Sequence, residues 1–398
     1  MKILYVFDFF SPQGGGTVNL LHSLSRALVQ RGHEVSIYTT DLKLDEDYIA
    51  SAPGVKIYPF HCISSLGRFY LTPSLMRTAR ENLRHFDIIH LQCFRSFQNI
   101  VIYYYARKYG VPYVIEHHGS LPRKVPGETN LKWLLRWLFD VIIGYRILNG
   151  AARIVLVNEF GVREYEAFGA TNREIAVIPH YFNVEDFNNI PQRGQFRERF
   201  NLNGKKILLF LGRIHRIKGL DFLVASLHEL SRLRPDVVLV IAGQDDGYQA
   251  ALEELIRALN LSGQVVFTGF LSGQDKLAAL VDADLLVLTS RYEYLAMVLI
   301  EALLCGTPVV VSSDTGAAED IKRMNAGYLV AFGDRKRLIE TIRSILADPS
   351  EAREKARQAR DYIRANLSLD RIVEAYEKLY QDCLQKNTPI VSLTGESS

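Results

Sequence analysis

Short, almost unbroken apolar runs alternate along the whole chain with longer stretches whose apolar positions recur every three or four residues. The short runs read as strands and the longer ones as amphipathic helices, an order that predicts parallel sheets with helices on both faces. In the first half the predicted strands are Ile3–Phe7, Val35–Thr39, Lys56–Tyr58, Asp87–Leu91, Tyr113–Glu116, Ile154–Val157 and Ile175–Ile178. In the second half they are Lys206–Leu211, Val237–Ala242, Val265–Thr268, Leu285–Leu288, Pro308–Val311 and Tyr328–Val330. Runs such as ILLFLG (207–212) and VVLVIAG (237–243) are continuously apolar, the pattern of strands buried on both faces.

The polar segment Asn183–Gly204, with Pro191 and Gly194, separates the halves and reads as a linker. The predicted architecture is therefore α/β: two Rossmann-like, doubly wound domains facing a central cleft, residues 1–185 and 186–368. Open sheets of this kind take ligands at the C-terminal ends of their strands. A last helical pattern, Asp370–Leu384, follows a break near Ser368, and residues 386–398 are polar, predicting a disordered tail.

Bulk composition narrows the class. Apolar residues make up 48% of the 398 positions, and the mean hydropathy is +0.01, as in a globular protein. No stretch reaches the ~20 apolar residues that cross a bilayer. The first apolar run is short and contains Asp8, so it reads as a strand and not as a signal peptide. Cys62, Cys93, Cys305 and Cys383 show no metal-ligand spacing, which points to reduced thiols in a cytoplasmic protein. A net charge of +3 is too small to imply nucleic-acid binding.

The richest chemistry lies in SRYEYLAMVLIEALLCGTPVVVS, residues 290–312. Glu293 and Glu301 flank an apolar helical run that ends at Gly306, before the next strand. With Glu293 at the helix start and Glu301 two turns in, the carboxylates would lie roughly 12 Å apart along the axis. Such a pair suits an extended polar ligand whose anionic middle meets the N–H groups of the helix N-terminus. A nucleotide sugar has that shape.

This segment resembles the Glu-x7-Glu signature of the retaining glycosyltransferases of family 4, enzymes of GT-B fold. Other segments carry the same resemblance over nearly the whole chain, from Met1 to Leu384. A Gly14-Gly15-Gly16 turn follows the first strand, and Gly15 and Gly16 match the family's N-terminal glycine loop. GRIHRIKGL resembles its Gly-Arg…Lys-Gly motif, which implies that Arg213 and Lys218 contact the donor pyrophosphate. EHHG, at the end of a first-half strand, resembles the family's active-site histidine, which implies that His118 contacts the donor sugar; Glu116 and His117 are weaker candidates. SSDTGAAED resembles the Gly-Gly-x-x-Glu segment, with Gly316 and Glu319 in place.

The resemblance further implies that Glu301 binds ribose hydroxyls and Glu293 a sugar hydroxyl. The backbone at Leu295, Ala296, Met297 and Val298 would shape the donor pocket. It implies a final helix that crosses back to the N-terminal domain (369–385), an acceptor-binding first domain and a donor-binding second one. The co-substrate would be a nucleotide-diphospho-sugar, with fixed cations in place of a metal and no cofactor. Two departures stand out. Tyr294, Leu295 and Ala296 replace residues that are commonly Gly or Pro, Phe and Gly, and His180-Tyr181 replaces Asn-Gly in the Ile-Pro-Asn-Gly-Val-Asp stretch.

The expected function is transfer of a sugar to a hydroxyl on a glycan, a lipid-linked or a small-molecule acceptor. A nucleotide-sugar epimerase or hydrolase on the same fold, or a non-catalytic glycan-binding scaffold, would leave similar motifs. The stretch 123–146 interleaves Arg123, Lys124, Lys132, Arg136 and Arg146 with Trp133 and Trp137. It fits a peripheral contact with the inner face of a membrane, or a helix packed on the first sheet.

Overall fold

The computed structural model describes residues 1–12, 16–66, 69–122, 130–172 and 174–386. The strands are β1 (Lys2–Val6), β2 (Glu34–Thr40), β3 (Lys56–Phe60), β4 (Ser64–Leu66), β5 (Phe69–Leu71), β6 (Ile88–Gln92), β7 (Tyr113–Glu116), β8 (Arg153–Leu156) and β9 (Ile175–Val177). They continue with β10 (Lys206–Leu211), β11 (Val237–Ala242), β12 (Val265–Gly269), β13 (Leu285–Leu288), β14 (Val309–Ser312) and β15 (Tyr328–Val330). Seven form one parallel sheet in the order β3-β2-β1-β6-β7-β8-β9, and six form another in the order β12-β11-β10-β13-β14-β15. All thirteen predicted strands appear, within a residue or two of their expected ends. The addition is the antiparallel hairpin β4–β5, inside a stretch the sequence pattern leaves as loop.

Continuous apolar strands need cover on both sides, and the first sheet receives it from two sources. Leu4, Val6, Ile89 and Leu91 face one cluster, while Ile3, Tyr5, Ile37 and Ile88 face another. The second cluster is closed by the helices Gly16–Gln30 and Leu369–Lys386. Ile372, Val373, Tyr376, Leu379, Tyr380 and Cys383 of the last helix are buried, the spacing of a single helical face. The C-terminal helix thus crosses back onto the first sheet, as expected. Tyr380 bridges Tyr5 and the ring of His90, each at 2.8 Å, and Glu377 meets Arg31 and His33. The expected tail, 386–398, lies outside the described residues apart from Lys386.

Both sheets reverse winding direction at the strand that starts them. In the second sheet β10 is flanked by β11 and β13, so the loops after β10 and β13 open on one crevice. That crevice receives the predicted donor residues.

Candidate functional site

The loop after β10 turns sharply because Gly219 sits at φ +66°, and a Cβ there would lie 1.9 Å from the Thr289 carbonyl oxygen. Only glycine permits this approach. The loops after β10 and β13 are then stitched together: Thr289 Oγ1 donates to the Gly219 carbonyl at 3.0 Å, and the Arg291 N–H to the Ile217 carbonyl at 2.8 Å. His215 caps the turn Arg216–Lys218 by accepting from the Ile217 N–H. This stitching places Lys218 Nζ 2.5 Å from Glu293 Oε2.

Beyond Glu293 the chain does not enter the helix at once. The helix is Met297–Leu304, with Ala296 at its N-cap, so Glu293 lies four residues ahead of it and Glu301 about one turn in. This corrects the two-turn picture drawn from spacing. Of the expected backbone contacts, Met297 and Val298 are the first two helical positions, and Leu295 lies in the preceding loop. Glu301 pairs with Lys276 at 2.8 Å, a residue no motif singled out. Arg213 is more exposed and pairs with Asp246 across 2.5 Å; it does not share Lys218's partner.

Tyr294 explains the delayed helix. Its ring lies against Gly119 and Gly161, where a Cβ would come within 2.8 and 2.7 Å of its atoms. Asn158 Nδ2 donates to the carbonyls of Tyr294 and Gly316, and the Gly316 N–H donates to the Glu293 carbonyl. Glu319 reaches Arg163 of the first half at 2.8 Å. Gly16 begins the helix after β1, and a Cβ on it would lie 3.3 Å from Met297 Cγ, so the start of that helix faces the start of Met297–Leu304. Gly15 lies outside the described residues.

His118 follows β7 by two residues. Its backbone is left-handed (φ 46°) and its side chain is 7% exposed, with Nε2 against Gln92 Oε1 and Nδ1 3.3 Å from Glu116 Oε1. Both ring nitrogens therefore face protein groups. His180, a departure from the resembled motif, also reaches Glu116 Oε1 at 3.3 Å, while Tyr376 donates to Oε2 at 2.9 Å. Burial alone would raise the Glu116 carboxyl, but His118, His180 and His90 outweigh it and hold it below the usual carboxylate range. Burial pushes the His118 and His90 imidazoles down to about 4 and His117 to about 3. Among the described residues, Glu116, His118 and His180 form the one group with the donor types and spacing of a metal site. Sequence reading named these residues but not their grouping, because His180 lies 64 positions from Glu116 along the chain.

The stretch 130–146 is no core helix. In the helix Asn130–Phe139, continued by the π-turn Asp140–Gly144, Leu131, Trp133, Leu134, Leu135, Trp137 and Leu138, then Val141 and Ile142, are 40–64% exposed. Its anchor is Asp140, buried and gripped by Arg95 Nε and Nη2 at 2.9 Å. Residues 123–129 lie outside the described residues. No helix among the described residues is long and apolar enough to cross a membrane.

Comparison with known proteins agrees with this geometry. The profile described as glycosyl transferases group 1 matches residues 192–364, and the profile described as Glycosyltransferase Family 4 matches residues 14–186. The chain belongs to the family-4 glycosyltransferases. This family-4 enzyme is 26% identical over 98% of its length to an uncharacterized glycosyltransferase of Methanocaldococcus jannaschii, covering 97% of that protein. It is 24% identical to the GDP-mannose-dependent phosphatidylinositol monomannoside mannosyltransferase of Mycolicibacterium smegmatis, over 88% of this chain and 90% of the relative. Its fold matches Anabaena HepE solved with UDP, at TM-score 0.76 and 19% identity, over 96% of this chain and all of that one. The protein is a retaining glycosyltransferase of GT-B fold that takes its sugar from a nucleotide-sugar donor.

Proposed function

We propose that residues 186–368 bind the nucleotide-diphospho-sugar and residues 1–185, with 369–385, present the acceptor. The observation that carries the donor site is the pair of carboxylate–ammonium contacts, Lys218–Glu293 and Lys276–Glu301, on either side of the Met297–Leu304 N-terminus. The donor diphosphate takes over Lys218, drawing on the amides of Met297 and Val298 and on Arg213, which swings from Asp246. Freed from Lys218, Glu293 accepts from a sugar hydroxyl, and Glu301 accepts from the ribose. The sugar–phosphate bond then breaks as the acceptor hydroxyl oxygen bonds to the same face of the anomeric carbon, and its proton passes to a donor phosphate oxygen. Fixed cations stabilise the leaving diphosphate without a metal in this step.

The test is thermal stabilisation by a panel of nucleoside diphosphates and nucleotide sugars, with and without EDTA, in wild type and Glu301→Ala. A ligand at about a hundred times its dissociation constant adds ~2.7 kcal/mol. A shift with one base, indifferent to EDTA and lost in the variant, is expected. No shift with any nucleotide overturns the donor site.

The acceptor side points to a lipid-linked substrate at the cytoplasmic face of a membrane. Exposed apolar side chains over three helical turns, with tryptophans among them, match an interfacial helix. Charge complements an anionic surface: residues 123–146 carry five Lys/Arg against Glu128 and Asp140, and Asp140 is held by Arg95. Sedimentation with phosphatidylglycerol vesicles, greater than with phosphatidylcholine alone and lost in Leu134→Ser/Leu138→Ser, is the expected result. A concentration-dependent dimer abolished by the same substitutions would assign the face to a second copy instead.

A further inference from the structure

Glu116 ends β7 with its carboxylate 1% exposed, and the shorter of its two hydrogen bonds comes from Tyr376 to Oε2 at 2.9 Å. Its other contacts are long: His118 Nδ1 and His180 Nε2 each at 3.3 Å from Oε1, and His90 Nε2 at 3.6 Å from Oε2. A charge-assisted N–H···O⁻ bond closes to about 2.7–2.9 Å. The two 3.3 Å separations instead match the edge of a tetrahedron whose centre lies about 2.0–2.1 Å from each corner, the bond length of zinc to nitrogen or carboxylate oxygen. All three ligand atoms lie within 4.8 Å of one another.

The hydrogen-bond directions agree. Gln92 Oε1, which only accepts, faces His118 Nε2 and takes a proton carried on that nitrogen. With the proton there, Nδ1 is a buried ring nitrogen without a hydrogen-bond partner, 3.3 Å from Glu116 Oε1. A buried carboxylate oxygen and a buried ring nitrogen 3.3 Å apart, with no hydrogen bond between them, leave a place that a cation would satisfy. Partners of the outer kind are also built in, Gln92 behind His118 and Tyr376 behind Glu116, as they are around metal-bound imidazoles and carboxylates.

We propose that Glu116, His118 and His180 bind one divalent transition-metal ion of the zinc class. Two imidazoles and one carboxylate favour such an ion over magnesium or calcium, which prefer all-oxygen sites. The ion ties the end of β7 to the segment after β9 that leads into the second sheet. Tyr376 adds the crossover helix to the same point. The site is a clamp between parts of the chain, separate from the cations that meet the donor phosphates, and it rests on none of the donor-site assignments.

The experiment uses untagged full-length protein, stripped with a chelator and titrated with Co²⁺, then with Zn²⁺, in the absence of nucleotide. One equivalent of Co²⁺ with the visible bands of a four-coordinate site, displaced by Zn²⁺, is expected. His180→Asn, the residue of the resembled motif, is expected to fold and to lose stoichiometric binding, and Gln92→Ala to weaken it by roughly 10- to 100-fold. Equal binding by wild type and His180→Asn overturns the site. So does wild type that takes up neither ion and gains no thermal stability from Zn²⁺. Should His180→Asn fail to fold, Glu116→Gln and the zinc-induced melting shift of wild type decide in its place.

Discussion

On the C-terminal side of the cleft, Lys218, Glu293, Lys276 and Glu301 pair with one another at 14–27% side-chain exposure. On the N-terminal side, Glu116 is 1% exposed among His90, His118 and His180. Partly wet ion pairs contribute little to stability because water screens them, so they exchange partners cheaply when a diphosphate arrives. A sealed carboxylate has no water to fall back on, so its neighbours must neutralise it permanently. Charge is thus arranged for exchange on one side and for permanence on the other.

The largest break in that comparison is Glu116→Ala. Removing the centre of a buried charge cluster costs roughly 3–5 kcal/mol, read as a lower denaturant midpoint, and a loss below about 1 kcal/mol would contradict the sealed arrangement. On the exchanging side, Lys218→Ala is expected to lower kcat/KM by roughly 10²–10³-fold while leaving the melting temperature nearly unchanged. A large stability loss there would mean that the Lys218–Glu293 pair is structural.

The seam between the two sides is tested by Gly119→Ala. Gly119 is left-handed (φ 72°), and its Cβ would meet the Tyr294 ring at 2.8 Å, so a cost of roughly 1–3 kcal/mol is expected in a urea titration. Glu164, half-buried beside the Tyr292 hydroxyl, sharpens the same seam. Burial raises its carboxyl to about 7, with the Tyr292 hydrogen bond opposing. The folded state therefore holds this proton more tightly than the unfolded one. Its contribution is complete below about pH 4.5 and lost as pH rises through 7. Glu164→Gln is expected to flatten the stability profile over that interval and to raise stability relative to wild type at pH 8; an unchanged slope would refute it. The smallest effect is Asp246→Ala, which frees exposed Arg213 and should change stability by about 1 kcal/mol or less.

Departures between sequence and structure share one cause. Glu293, Tyr294, Leu295 and Ala296 read locally as the first turn of a helix, and in isolation nothing in them forbids it. Tertiary contacts decide otherwise, because the Tyr294 ring fits between two glycines of the first half while Asn158 and Gly316 hold the backbone at 293 and 294. His118 is legible as a strand-end histidine, yet its left-handed backbone turns the ring toward Glu116.

What the chain alone determined is whatever local pattern encodes: thirteen parallel strands from short apolar runs, their division between two sheets, the glycine that permits the Lys218 turn, and the Glu-x7-Glu segment. Folding alone decided which charges meet. Glu301 finds Lys276 from 25 positions away, Arg213 finds Asp246 from 33, and Glu116 meets Tyr376 from 260. Apolar periodicity repeats along the chain because each element must bury its own face. An ion pair or a ligand cluster needs only one correct meeting in space, and nothing periodic in the sequence records it.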